Sequence, residues 1–271
     1  MRSKYIGILG LSMLGFMVLV AIFAPLIAPY DPFAVTGTPF ESPSGTHWLG
    51  TNDIGQDIFS ELIYGTRTSL VVGFLSAFIS IVIGAVAGVC SGWFGGWLDR
   101  LLMKVTTFFI TIPFVPSLII LAVFVEPSMW ATAIILGIMS WSGVARLIRS
   151  ETMQIKTKDY ITTIRAMGAS SFYLITHHVI KELIPIILYR FSDRIKSGIL
   201  SESSLAFLGL GDTISKSWGS IIYYAQNKNA LLTGAWVWWI IPAGACICFL
   251  CFALILISYS SEAKKDVRNE V

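Results

Sequence analysis

The sequence predicts an all-α, polytopic membrane protein with six transmembrane helices. Three observations carry that expectation. Of 271 residues, 55% are hydrophobic and 13% charged, and the mean hydropathy is +0.75, too apolar for a soluble domain. Apolar runs recur at about the 20 residues needed to cross a hydrocarbon core. Lys and Arg gather in alternate connections, as in proteins that keep their basic loops on the cytoplasmic side.

Spans are predicted over residues 6–27, 70–90, 101–125, 130–145, 183–208 and 235–258. The first follows Arg2 and Lys4, as a signal peptide would, but its apolar run outlasts a secretory core of roughly 7–15 residues and reads as a retained anchor. Pro25, Pro29 and Pro32 then stop the helix, while Gly37, Pro39, Pro43 and Gly45 keep the following segment irregular. An anchor with an external connector over 1–68, a transmembrane core over 69–258 with a loop at 146–182, and a cytoplasmic tail over 259–271 are expected. Gly92, Gly95 and Gly96 predict a tight turn, with Trp93 and Trp97 at the membrane interface. Pro113 and Pro116 predict a kink in the third span. The pattern breaks again from Gly209 to Trp218, and Trp236, Trp238 and Trp239 are expected as an aromatic belt at the start of the last span.

Residues 141–185 interrupt this membrane-like pattern with dense charge. Within them, Asp159-Tyr160-Ile161-Thr162-Thr163-Ile164-Arg165-Ala166-Met167 reads as a helix ending at Gly168, where a missing side chain lets the backbone turn. A second helix starts behind Ser170 or Ser171 as N-cap. Such an elbow suits insertion into a groove on a soluble partner.

The fifth span carries Arg190, Asp193, Arg194 and Lys196. At 100° per residue, Arg190, Asp193, Arg194, Ser197, Ser201 and Ser204 share one stripe, with Lys196 off it. Mid-membrane charges cost at least about 2.5 kcal/mol each and normally face a bundle interior or aqueous cavity; the bland alternative is that the two Arg side chains snorkel to the interface.

Other chemistry is excluded or weak. The net charge of +3 is a topology signal and gives no reason to expect nucleic acid. Cys90, Cys246, Cys248 and Cys251 lie in or beside apolar runs and read as packing residues. Asp53, Asp57 and Glu61 lack a calcium-loop order, and no metal site is expected. His177 and His178 beside Lys181 and Glu182 form no catalytic constellation. No Gly-rich phosphate loop is present, so this chain is expected to bind no cofactor.

Several strings, in order along the chain, resemble one family. His47-Trp48-Leu49-Gly50-Thr51-Asn52-Asp53-Ile54-Gly55-Gln56-Asp57, Gly92-Trp93-Phe94-Gly95-Gly96-Trp97-Leu98-Asp99, Ala145-Arg146-Leu147-Ile148-Arg149, the elbow, and Ser204-Leu205-Ala206-Phe207-Leu208-Gly209-Leu210-Gly211 are similar to the membrane permeases of bacterial ABC importers, specifically the C-type subunit of the dipeptide, oligopeptide and nickel systems. The resemblance implies a type I importer permease fold in the bacterial inner membrane. It also implies a homologous permease partner, two ATPase subunits that hold ATP and Mg, and an external solute-binding protein. ATPase docking would use Asp159, Tyr160, Arg165, Ala166, Gly168, Ala169 and His178; the charged stripe of the fifth span, where the family usually has apolar and glycine residues, adds Arg190, Asp193, Arg194, Ser197 and Ser201 as the expected substrate pathway. Departures are Thr162-Thr163-Ile164 for the usual Glu-Ala-Ala, Lys181-Glu182 for Pro-Asn, and Asn52, Gln56 and Glu61 for an Asp and two Arg. The lost Pro-Asn pair and the polar fifth span lean toward a nickel or metal-chelate cargo over short peptides. A secondary transporter or channel, with Asp193 and Arg190 or Arg194 relaying ions, is the rival reading; it needs no ATPase.

With both termini and the elbow assigned to the cytoplasm, cysteines introduced at Ser44 and Asn227 of a cysteine-free variant are expected to react with an impermeant thiol reagent in intact cells, while one at Lys158 stays protected. The reverse pattern would invert the topology.

Overall fold

The computed structural model describes residues 2–212 and 214–269, with side chains over 5–212 and 214–260. Thr213 and the last two residues of the predicted tail lie outside the described residues, as do the side chains of Arg2, Lys4, Lys264, Lys265 and Arg268 that enter the charge argument.

Helices α1 (Arg2–Ile22) and α2 (Ala24–Ile27) lead into an irregular connector held by two isolated bridges, Val35 with Gln56 and Thr51 with Asp57. Helix α3 (Ile58–Phe94) opens on Asp57, whose carboxylate accepts from the Ser60 amide at 2.8 Å. After the glycine turn come α4 (Gly96–Thr111), α5 (Phe114–Phe124) and α6 (Met129–Lys156), the last capped by the Ser128 hydroxyl. The elbow holds α7 (Asp159–Ala166) and α8 (Ser171–Leu174). A π-helical turn, Ile175–Val179, joins α8 to α9 (Ile180–Phe207). Helix α9 ends at Gly209 (φ 80°), where the amides of Gly209 and Leu210 reach back to the carbonyls of Ala206 and Leu205, a Schellman closure. Beyond it lie α10 (Trp218–Asn227), α11 (Ala230–Thr233) and α12 (Trp236–Asn269).

Among the described residues, five helical runs are long and apolar enough to cross a bilayer, and α4 with α5 make a sixth if counted together. The all-α architecture stands, with several boundaries moved. The predicted span at 101–125 is two helices bent by 87°. Pro113 pushes Ile112 into an extended conformation (φ −70°, ψ 129°) and ends α4 there, whereas Pro116 sits harmlessly in the first turn of α5. The second span starts at Ile58, ahead of residue 70, because the Asp57 cap sets the helix origin. The fourth continues to Lys156, so the loop expected at 146–182 is helical at both ends. The fifth is one run, Ser171–Phe207.

Helices α3 and α6 pack along a glycine seam. Gly84, Gly88 and Gly92 fall on one face of α3, and a methyl at each would lie 2.7 Å from Val144, from Ile148 and the Ala145 carbonyl, and from the Arg149 carbonyl. Small residues at this spacing let backbones meet closely inside a membrane. Gly73 and Gly198 bring α3 against α9 in the same way, facing Ile199 and Ser76. One part of the core gathers Ile58, Ile195, Ile199, Trp218 and Trp239 at the connector end; another gathers Trp93, Ile148, Ile161, Leu174 and Leu183 at the elbow end. Two expected interface aromatics are therefore buried: Trp93 is 1% exposed, and Trp239, also 1% exposed, packs against Phe40 of the connector. Local apolarity does not distinguish a lipid-facing ring from one that a neighbouring segment covers.

Gly88→Leu is expected to cost about 1–3 kcal/mol through overpacking and to lower Tm in detergent, whereas Gly143→Ala on α6, which meets nothing within 4 Å, leaves Tm unchanged or raises it.

Candidate functional site: elbow, cavity and connector clasp

The elbow forms as its sequence suggests. Gly168 takes φ 91°, and the Ser170 hydroxyl accepts from the Tyr173 amide at 3.2 Å. Asp159, Tyr160, Arg165, Ala166 and Gly168 are exposed, while Ala169 and His178 are half-buried. Ile161 is fully buried and plants α7 on the core. Glu182 binds Lys158 at 2.5 Å and accepts from the Tyr160 hydroxyl, so this departure from the family pattern clamps α7 to the foot of α9. His178 lies between the rings of Tyr160 (5.9 Å) and Tyr173 (5.8 Å). Its surroundings are internal to the elbow. Met167, 82% exposed, and Phe172, 76% exposed, form an apolar tip that sequence reasoning missed; their place beside the Gly168 turn was the available signal.

Two of the family-like strings meet in space. Arg149 grips Asp99 bidentately, Nε to Oδ1 at 2.6 Å and the second nitrogen to Oδ2 at 2.7 Å, and Ser91 also donates to Asp99. One carboxylate thus ties α3, α4 and α6 together. Beside it the Lys156 ammonium donates to the Trp93 carbonyl at 2.6 Å, and the Arg165 guanidinium lies over the Trp93 ring at 5.4 Å. The elbow is therefore attached to the end of α3 by a cation–π contact.

Higher in the bundle, a cavity of about 530 Å³ opens between the α4–α5 break, α6 and α9. Arg194, Ser197 and Ser201 line it together with Ile112, Phe114 and Ser140. Arg190 and Asp193 are not on its wall. Asp193 is shared by Lys196 at 3.1 Å, Arg194 at 3.2 Å and Arg190 at 3.9 Å. Placing Lys196 off the charged stripe overlooked the reach of its stem, which brings the ammonium back to Asp193 three residues away.

The comparisons with known proteins fall on this geometry. Residues 80–263 match the binding-protein-dependent transport system inner membrane component model, and residues 1–43 the N-terminal transmembrane domain of oligopeptide transport permease C. The chain belongs to this permease family. A putative peptide permease of Brucella suis biovar 1 (strain 1330) is 30% identical over 96% of this chain and 85% of its own length. The dipeptide permease DppC of Bacillus subtilis (strain 168) is 29% identical over 87% and 74%, and its oligopeptide permease OppC 28% identical over 98% and 85%. The fold resembles an inward-facing structure of the MetNI methionine ABC transporter, with TM-score 0.55, 19% identity, 73% of this chain and 97% of that one covered. The chain is a multi-pass permease of the ABC importer class.

In this permease the three departures in the N-terminal signature prove to be neighbours. Asn52 donates to Gln56 and Glu61, both at 2.9 Å, and the Lys216 ammonium reaches Gln56 at 2.9 Å and Glu61 at 2.6 Å. Their joint change was the sequence signal of a shared network, completed by a lysine from the loop before α10. Asp57 is spent on structure: His47 meets one oxygen at 2.9 Å, and Ser60 binds the other. Nearby, hydrogen bonds from the Thr38 hydroxyl and then the Thr38 amide hold the Glu41 carboxyl below the usual carboxylate range. Glu202, a buried carboxyl that sequence reasoning passed over, accepts from Ser203 at 3.4 Å near Ser217 and Ser69.

Arg165→Ala is expected to speed amide exchange across residues 159–166 several-fold, in keeping with about 0.5–2 kcal/mol for such a contact, while Arg165→Lys retains part of the protection. Unchanged exchange in the alanine variant would remove the Trp93 contact as the attachment.

Proposed function

We propose that this permease subunit pairs with a homologous permease chain above two ATPase subunits and forms the path for short peptides handed over by an external solute-binding protein. The ATPases hold ATP and Mg, and both termini and the elbow lie in the cytoplasm. The exposed tip at Met167 and Phe172, flanked by Tyr160 and Arg165, inserts into an ATPase groove. Glu182 and Trp93 then transmit its movement to α9 and α3, and rigid-body motion alternates access to the cavity. Peptide cargo is favoured over nickel or a metal chelate because the relatives compared above carry peptide names and because the cavity offers a carboxylate-binding group.

The observation that carries the reading is Arg194 on the wall of a cavity whose volume suits a small ligand. Its Nε is buried without a hydrogen-bond partner, and a guanidinium grips a carboxylate in bidentate fashion. Arg190 and Asp193 then act one step back, setting the field at Arg194. Ion relay through Asp193 has less support, because three cations already share that carboxylate and the family is that of binding-protein-dependent systems.

In the reconstituted complex, Arg194→Gln is expected to lower uptake of a peptide with a free C-terminal carboxylate about tenfold, the scale of one charge-assisted hydrogen bond, while sparing its C-terminal amide and leaving ATPase assembly intact. An equal loss for both peptides, or none, would remove Arg194 from substrate contact.

A further inference from the structure

A second open cavity, of about 490 Å³, lies at the elbow end between α4 and α6. Its wall includes Arg100, Lys104, Thr107 and Arg149. Arg149 is consumed by Asp99, and that pair is electrically closed. Arg100 and Lys104 have no carboxylate within ion-pair distance among the described residues: the Arg100 Nε donates only to the Gly96 carbonyl at 3.4 Å. Arg146 reaches in from α6 to the Thr107 hydroxyl at 3.4 Å. Three cations therefore stand around a space whose one carboxylate is already matched. The adjoining face of α4 is apolar and open, with Trp97 69%, Leu101 48%, Val105 40% and Phe108 62% exposed. These four fall on one side of the helix by the 100° rule, and Trp97 lies one turn before Arg100.

We propose that this groove is a binding site for an anionic phospholipid, its phosphate held by Arg100, Lys104 and Arg146 and an acyl chain lying along Leu101, Val105 and Phe108. A soluble anion would account for the cations but leave the apolar stripe unused. A neutral lipid would account for the stripe and leave three exposed cations unmatched. Basic pockets between helices at the cytoplasmic face bind headgroups for this reason. The site is independent of the cargo and of Arg194; it uses only the basic end of the bundle.

The test is quenching of Trp97 fluorescence by brominated phosphatidylglycerol and brominated phosphatidylcholine in vesicles carrying the full-length chain, with Trp97→Phe used to subtract the other tryptophans. Phosphatidylglycerol should quench Trp97 more effectively than phosphatidylcholine. Arg100→Gln with Lys104→Gln should weaken that preference about fivefold per charge removed, while Arg100→Lys with Lys104→Arg keeps it and shows that the helix is intact. Inorganic phosphate at the same concentration should leave the preference unchanged. Equal quenching by both lipids, a preference that survives the double glutamine variant, displacement by inorganic phosphate, or a Trp97 shielded from both lipids by protein would each overturn the proposal.

Discussion

The close approach of α3 and α6 is the constraint on which the rest of the architecture depends. With glycine at 84, 88 and 92, α3 presents no side chain of its own at these points, and Val144, Ile148 and Thr152 of α6 pack directly on its backbone, so dispersion and packing act where no hydrophobic force between helices is available in lipid. That seam fixes where α6 ends, and hence where the elbow begins. It also places Arg149 against Asp99 and leaves Trp93 at a buried corner under Arg165. A larger residue in the seam would move the elbow as well as the helices.

The elbow and the cavity share a mechanical frame. Helix α9 rises from the clamp at Glu182 and carries Arg194, Ser197 and Ser201 to the cavity wall about three to five turns further on. Helix α6 forms the wall opposite and ends on the elbow. In the proposed cycle, α6 and α9 are the two helices through which a displacement at the tip reaches the cavity. The 87° break at Ile112 and Pro113 supplies the third wall, where irregular backbone can border a cavity.

The helical class and the elbow were legible because both rest on local signals: long apolar runs, a Gly at the turn and a Ser at the next cap. The helix boundaries were less so. Asp57 starts α3 well ahead of the apolar run, where a hydropathy argument does not look. Pro113 announced a kink but not its size, since proline sets the local conformation while neighbours set the angle. In the site, Arg194, Ser197 and Ser201 followed from helical periodicity. The positions of Arg190 and Asp193 off the cavity wall, and the return of Lys196 to Asp193, depend on side-chain reach and on what α4 and α6 bring alongside. Trp93 and Trp239 were misplaced for the same reason, because burial by a distant segment leaves no trace in the residues around them.

The clasp between the connector and the loop before α10 has a consequence for how the chain is made. Glu61 is almost entirely buried, and its counter-ion Lys216 lies 155 residues later. During synthesis, the connector and the start of α3 are made long before that lysine exists. The connector can reach its final form only when α9 and the loop that follows it have been made. The clasp is thus closed late, by the ammonium groups of Lys216 on Glu61 and Lys228 on Asp53. A synthesis that stalls before residue 216 leaves Glu61 without its ammonium at the start of α3, which marks the unfinished protein.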